Sequence, residues 1–124
     1  MFNKQDYKKF NMTPEILASE HFVSFTGTLS GTGVTADDEG RKIVPAGSLV
    51  DEDGALVTVE EDALSGDPIG VLLDDIEVTY GDQPAPLLVE GYVYGDRLKL
   101  GENVETTAAN LALVTEALPE VKLR

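Results

Sequence analysis

From residue 37 onward, short runs of alternating apolar and polar residues follow turns that are acidic or contain glycine. These turns are "DDEG" (37–40), "DEDG" (51–54), "SGDP" (65–68), "GDQPAP" (81–86) and "GD" (95–96). Asp side chains accept hydrogen bonds within their own turn, and Gly adopts positive φ at little steric cost. The pattern therefore predicts a mainly β chain of short strands separated by tight turns.

Two segments have a different periodicity. In "TPEILASE" (13–20), Thr13 is a suitable N-cap and a proline follows at the first helical position, which predicts one or two helical turns. The next run, "HFVSFTGTL" (21–29), predicts a strand. Near the end, Leu111, Val114 and Leu118 share one helical face, Pro119 ends that helix, and "EVKLR" predicts a last short strand.

The opening segment "MFNKQDYKKFNM" has neither a helical nor a strand period. We interpret residues 1–12 as an N-terminal arm and residues 13–124 as a single β-rich domain. Two interpretations of the arm stay open. It is either a frayed terminus or a segment whose aromatic residues dock on a neighbouring subunit.

"GRKIVPAGSLV" (40–50) is either the rim of an active site or a corner between two strands. Pro45 has no N–H and a fixed φ, so it does not fit a central strand, and Gly47 permits a left-handed residue two positions later. We predict a kink at a sheet edge. Val44, Leu49 and Val50 then turn inward on either side, while the two cations before them stay solvated.

Composition narrows the possible functions. The 124-residue chain has no Cys and one His, so neither a thiolate site nor a histidine-based triad or multi-histidine metal site can form within it. Its net charge of −14, from 23 acids and 9 bases, disfavours nucleic acid and anionic membranes as partners. No apolar run is long enough to span a bilayer, and we expect synthesis in a host cytoplasm.

Four groups of carboxylates are dense enough to suggest catalysis or cation binding: Asp37/Asp38, Asp51/Asp53, Glu60/Glu61/Asp62 and Asp74/Asp75. "DEDG" resembles the start of an EF-hand loop but lacks its later ligands, so we expect solvated turn carboxylates rather than a metal site. Asp74 and Asp75 interrupt an apolar run and would point to opposite faces of a strand, so they predict a bend, a bulge or a subunit edge rather than a catalytic dyad. We expect no cofactor.

Four segments, in this order, carry a family resemblance: "RKIVPAGSLV", "DPIGVLLDDIEV", "LLVEGYVYGDRL" and "ALPEVKLR". Together they resemble the head decoration and head fiber proteins of tailed bacteriophages from about residue 40 to residue 124; "VPAG" also resembles the turn of SAF-type β-clip domains. The resemblance implies a non-enzymatic, mainly β protein with a small β-barrel or β-sandwich-like body of the β-tulip type. It also implies a virion location on the outer capsid surface and, as in the lambda-like relatives, a homotrimer.

Under this resemblance the partners are the phage major capsid protein and other copies of the chain. The expected capsid-binding residues lie in the arm: Phe2, Tyr7, Lys8, Lys9 and Phe10. The expected oligomer interface is the corner of Val44, Pro45, Ala46 and Gly47, and an arm that joins neighbouring protomers instead is the inverse assignment. The absence of a stalk favours a cement role over an elongated fiber.

Two other function classes remain. A carbohydrate-binding or receptor-binding module, such as a head fiber base, would use Tyr80, Tyr92 and Tyr94 as stacking faces, and the last two share one strand face at i, i+2. A glycoside hydrolase that works with carboxylates alone would need two opposed acids in a cleft, and this short, turn-rich chain offers little cleft.

Overall fold

The computed structural model describes residues 17–31, 34–101 and 104–124, without the side chains of residues 19–21. The described chain is mainly β with one α-helix, as the sequence predicts. Its strands are β1 Leu17–Leu29, β2 Ile43–Val44, β3 Leu49–Asp51, β4 Leu56–Val57, β5 Val59–Glu60, β6 Ala63–Leu64, β7 Pro68–Leu72, β8 Ile76–Glu77, β9 Gln83–Val93 and β10 Val121–Leu123. A 3₁₀ turn, Gly95–Arg97, and helix α1, Ala108–Ala117, lie between β9 and β10.

Six strands form the main sheet, in the order β1-β9-β7-β3-β4, with β10 added beside β9. The neighbours are antiparallel except for β10, which runs parallel to β9 from Val121 opposite Gly91 to Leu123 opposite Val93. Two ribbons, β2-β8 and β5-β6, complete the β structure. The sheets of the described residues are not closed, so the barrel form of the fold prediction is not confirmed.

The main sheet is covered on both faces, and this explains its continuous apolar runs. Along β3, Leu49 belongs to one buried cluster and Val50 to the other, and Val71 and Leu72 divide in the same way along β7. Successive residues of a strand point to opposite faces, so the central strands β3 and β7 have apolar residues at successive positions. α1 and the segment before it pack on the first cluster through Val114, Leu98, Leu100 and Leu118. The β2-β8 ribbon packs on the second through Val44 and Ile76, together with Val78 just after β8.

Two predictions of local structure are wrong. The predicted helix at residues 13–20 is a strand from Leu17 onward, because Leu17 is buried in the first cluster and pairs with Val93. Tertiary burial outweighs the helix-start signal there, and residues 13–16 lie outside the described chain. The predicted turn "GDQPAP" becomes strand from Gln83, so Pro84 and Pro86 lie within β9.

The prolines fit β9 because of the side to which they point. The Pro86 carbonyl accepts a hydrogen bond from Leu73 N at 3.1 Å, so this residue directs its backbone polar groups away from β1. Pro84, two positions earlier in the strand, has the same orientation. The missing N–H groups therefore face the edge where β7 has already ended at Leu72, and the β1-β9 ladder continues through Thr26 opposite Pro86.

The C-terminal predictions are confirmed. The Thr107 side chain caps α1 by accepting a hydrogen bond from Asn110 N at 3.3 Å. Val114 and Leu118 are buried against the first cluster. The helix stops before Pro119, and the next residues form β10. This end of the chain therefore closes the apolar face of the sheet that the middle strands leave open.

Candidate functional site

The "VPAG" segment forms a tight corner between β2 and β3. Gly47 has φ of 96°, a left-handed conformation that favours glycine. Ser48 closes the turn, with its N donating to Pro45 O at 3.3 Å and its Oγ donating to the same oxygen at 2.7 Å. The inward residues on either side, Val44 and Leu49, are fully buried. The sequence prediction of a structural corner is confirmed.

Other parts of the chain hold the corner in place. Gly47 N donates to Leu72 O at 2.8 Å and Leu72 N donates to Ser48 O at 2.8 Å, which joins the corner to the end of β7. Lys99 N donates to Gly47 O at 3.0 Å, which joins it to the segment before α1. The corner's backbone groups are thus engaged in the scaffold, and the corner offers no reactive side chain of its own.

Asp75 explains the bend between β7 and β8. Its Oδ1 accepts a hydrogen bond from Ala46 N at 2.7 Å, so the carboxylate binds the corner across 29 residues of sequence. Asp74 is exposed at the same bend. The predicted bend is confirmed, and the contact with the corner is the feature that sequence reasoning missed, because nothing local links these two segments.

The structure divides the four residues predicted for an oligomer interface. Val44 is buried in the second cluster, and Gly47 is also buried within the chain. Pro45 is exposed and Ala46 is half-buried. Only Pro45 and Ala46 therefore present surface to a neighbouring protomer, and the interface itself stays a prediction.

An apolar groove of about 330 Å³ lies where the corner, β4 and the 99–101 segment meet. It is lined by Pro45, Ser48, Leu56, Val57, Thr58, Lys99 and Gly101. None of these residues is acidic, although the chain as a whole has 23 acids. The groove was not predicted, because its lining comes from separate segments that only the fold brings together.

The turn carboxylates bind their own turns. Asp37 Oδ1 accepts hydrogen bonds from Glu39 N and Arg41 N, both at 2.9 Å. Asp51 Oδ1 accepts from Asp53 N and Ala55 N, also at 2.9 Å. The bond from the Arg41 backbone N–H lowers the pKa of Asp37 below its ordinary value, with further lowering by the Glu39 N–H and the Arg41 charge. These acids act as local turn-formers, as predicted.

Another acidic group occupies a hairpin. β5 and β6 pair Glu60 with Ala63, and the two residues between them, Glu61 and Asp62, have φ of 53° and 65°. A two-residue hairpin with positive φ at both central positions is a type I′ turn. Within residues 17–31, 34–101 and 104–124, no group of three or more potential ligands is arranged to hold a metal ion.

The tyrosines of the carbohydrate-binding alternative are distributed unevenly. Tyr80 is 95% exposed at the turn after β8, away from the other two. Tyr92 and Tyr94 are exposed near the end of β9, and an arginine guanidinium lies over each ring. Arg124 Cζ lies 4.6 Å from the Tyr92 ring centroid, and Arg97 Cζ lies 4.7 Å from that of Tyr94. One stacking face of each ring is therefore occupied by an arginine of the same chain.

β1 has an exposed apolar segment, residues 22–28, which we call the β1 strip. Phe22, Val23 and Phe25 are 39%, 50% and 43% exposed. In the part of the chain that the structure describes, β1 has a ladder partner on one side only, β9. The strip contains no ionisable residue. Edge strands of monomeric proteins are usually protected by charge or proline, and this strip has neither.

The predicted capsid-binding residues, Phe2, Tyr7, Lys8, Lys9 and Phe10, lie outside the described residues. α1 has ten residues, and no helix of the described ranges is long and apolar enough to cross a membrane.

Comparisons with models of protein families, with curated proteins and with solved structures found no match to this chain.

Proposed function

We propose that the chain is a non-enzymatic decoration, or cement, protein of a tailed bacteriophage, which binds the outer surface of the expanded head as a homotrimer and stabilises it. The observation that carries the proposal is the way the four segments of the family resemblance pair. "RKIVPAGSLV" supplies β2, the corner and most of β3, and "DPIGVLLDDIEV" supplies β7, the Asp75 bend and β8. "LLVEGYVYGDRL" supplies most of β9, and "ALPEVKLR" supplies β10.

These segments are direct neighbours. β2 pairs with β8, β3 with β7, β7 with β9, and β9 with β10. The motifs of the resemblance thus account for one connected scaffold, and none of them supplies a set of reactive groups. A scaffold with an exposed strand edge and an acidic, soluble body suits a protein whose role is to be held on a repeating surface.

A repeating capsid lattice makes weak single contacts sufficient. A trimer that engages three equivalent capsid sites gains about 10²- to 10⁴-fold in affinity through effective concentration. In this proposal the arm residues Phe2, Tyr7, Lys8, Lys9 and Phe10 make each contact. The arm carries a net charge of +2, whereas the rest of the chain carries −16, so the arm can approach an acidic capsid surface that repels the body.

The test is cosedimentation with empty, expanded heads of the phage, prepared without this protein. The full chain is expected to sediment with the heads and to raise their resistance to heat or chelator. A chain without residues 1–12 is expected to stay folded by circular dichroism and to lose head binding. Unchanged binding by the truncated chain would refute the role of the arm, and no binding by the full chain would refute the proposed function.

The carbohydrate-binding alternative is weaker on geometry, because Arg97 and Arg124 lie over the two tyrosine rings that would have to stack on a sugar. A glycan array with the full chain separates the two functions. Binding that is lost in Tyr92→Ala and retained in Tyr80→Ala would favour the alternative over capsid decoration.

A further inference from the structure

We propose that the β1 strip of one copy docks in the apolar groove beside β4 of the next copy, and that this contact builds the homotrimer. The inference rests on the proposed function for the number of copies, and it assigns the contact to residues. A second copy of this chain occupies each of the two surfaces.

Charge indicates which partner fits. Each copy carries a net charge of −14, so two copies repel one another over most of their surfaces. The β1 strip has no ionisable residue, and the groove has no acid and one cation, Lys99. A surface that binds a basic partner is expected to contain acidic residues. A surface that binds a partner of the same negative charge is expected to contain none. Phe22 and Val23 share a hollow with Glu90 and Glu120, whereas Phe25 and the groove have no acid in their lining, so the contact that suits a like-charged partner is centred on Phe25.

β1 and β4 are the two terminal strands in the pairing order of the main sheet, and the 51–54 turn before β4 contacts the end of β1 through the bond from Ser30 N to Gly54 O, 2.9 Å long. β1 begins the order β1-β9-β7-β3-β4 and β4 ends it. Docking β1 of one copy beside β4 of the next therefore joins two sheets edge to edge, as in strand addition. Phe22 and Phe25 are exposed on the strip, and a groove of about 330 Å³ lined by Pro45, Leu56 and Val57 can receive an aromatic ring.

A contact between two different surfaces repeats around a ring. Such a head-to-tail interface leaves one free strip and one free groove on every open assembly, and the ring closes when the last strip meets the first groove. The contact also includes Pro45, one of the two corner residues that face outward. Three copies in a closed ring satisfy all three strips and all three grooves.

The experiment uses full-length variants and light scattering. Phe25→Glu puts an acid on the strip, and Pro45→Glu puts one in the groove. Thr115→Glu, on the exposed side of α1, adds the same charge away from both surfaces. The unaltered chain and Thr115→Glu are expected to run at three times the 13.3 kDa chain mass. Phe25→Glu and Pro45→Glu, each measured separately, are expected to have the mass of one chain and an unchanged circular dichroism spectrum.

Mixing the two variants provides the sharpest readout. The Phe25→Glu chain keeps its groove and the Pro45→Glu chain keeps its strip, so the mixture is expected to form a heterodimer of twice the chain mass. A misfolded variant could not restore this species. A mixture that stays monomeric at the highest accessible concentration would overturn the strip-to-groove contact, as would an unaltered chain that is monomeric or a Phe25→Glu chain that stays trimeric.

Capsid cosedimentation separates this inference from the proposed function. If Phe25→Glu dissociates the trimer but the unaltered chain never binds heads, the proposed interface is supported and capsid decoration is refuted. If the full chain binds heads but neither substitution changes the mass of the assembly, decoration is supported and the proposed interface is overturned. If both hold, the Phe25→Glu monomer is expected to bind heads about 10²- to 10⁴-fold more weakly than the trimer.

Discussion

Gly40→Ala and Gly54→Ala make a matched pair that isolates one tertiary contact. Both glycines end an Asp-x-x-Gly turn, and their φ values are 81° and 83°. In each turn the first Asp carboxylate accepts two backbone N–H bonds at 2.9 Å. A Cβ at Gly40 would have no atom within 4 Å, whereas a Cβ at Gly54 would overlap the carbonyl oxygen of Thr28 in β1.

The difference in free energy of unfolding follows from that overlap. An alanine in the left-handed region costs about 1–2 kcal/mol, and this term is common to both variants. Only Gly54→Ala must also displace the end of β1, at about 1–3 kcal/mol for overpacking against backbone. It also strains the bond from Ser30 N to Gly54 O, 2.9 Å long, which contributes about 1 kcal/mol. We expect destabilisation of about 1–2 kcal/mol for Gly40→Ala and about 3–6 kcal/mol for Gly54→Ala.

Thermal unfolding followed by circular dichroism measures both variants. At about 4 °C per kcal/mol for a domain of this size, Gly40→Ala should lower Tm by about 4–8 °C and Gly54→Ala by about 12–24 °C. All samples need one protein concentration, so that self-association contributes equally to each Tm. Equal Tm values for the two variants would show that the 51–54 turn does not pack on β1, and would refute the placement of that strand's end.

Three further predictions test the corner, the turns and the hairpin. Asp75→Ala removes the acceptor of Ala46 N, and urea unfolding should show a loss of about 1–2 kcal/mol, while the exposed neighbour change Asp74→Ala stays within about 0.5 kcal/mol; equal losses would contradict the Asp75 contact. Folding lowers the pKa of Asp37, so the contribution of its carboxylate to stability is present above the unfolded pKa near 3.8 and is lost as pH falls through the lower folded pKa. The difference in urea midpoint between the unaltered chain and Asp37→Asn should therefore shrink from pH 6 to pH 2.5. A constant difference would contradict this. Replacing Glu61-Asp62 by Asn-Gly suits the positive φ of both positions and should raise the free energy of unfolding by about 1 kcal/mol; a lower Tm would argue against the type I′ turn.

The sequence predicts the features that have a local cause. Asp37 and Asp51 each bind backbone groups two and four residues later, so their turns can be recognised within a five-residue window. Pro45 and Gly47 specify the corner through their own backbone restrictions. The spacing of Leu111, Val114 and Leu118 specifies the helix face in the same way.

Features that depend on distant partners could not be predicted. Leu17 is strand because it pairs with Val93, 76 positions away, although its own neighbours favour a helix. Pro84 and Pro86 mimic a turn in sequence, and only the end of β7 beside them shows why β9 tolerates them. The groove along β4 is likewise invisible in sequence, because Pro45, Val57 and Lys99 meet only in the folded chain.

The position of β9 constrains the order in which a growing polypeptide can fold. β9 pairs with β1 from the start of the chain and with β10, which ends at Leu123. During synthesis, β1 must therefore wait for more than fifty later residues before its neighbour β9 is made, and β9 lacks its β10 partner until residues 121–123 have left the ribosome. Non-local pairing of this kind slows folding and leaves apolar strands uncovered meanwhile. The acidic turns that follow the strands then help to keep the unfinished chain from aggregating.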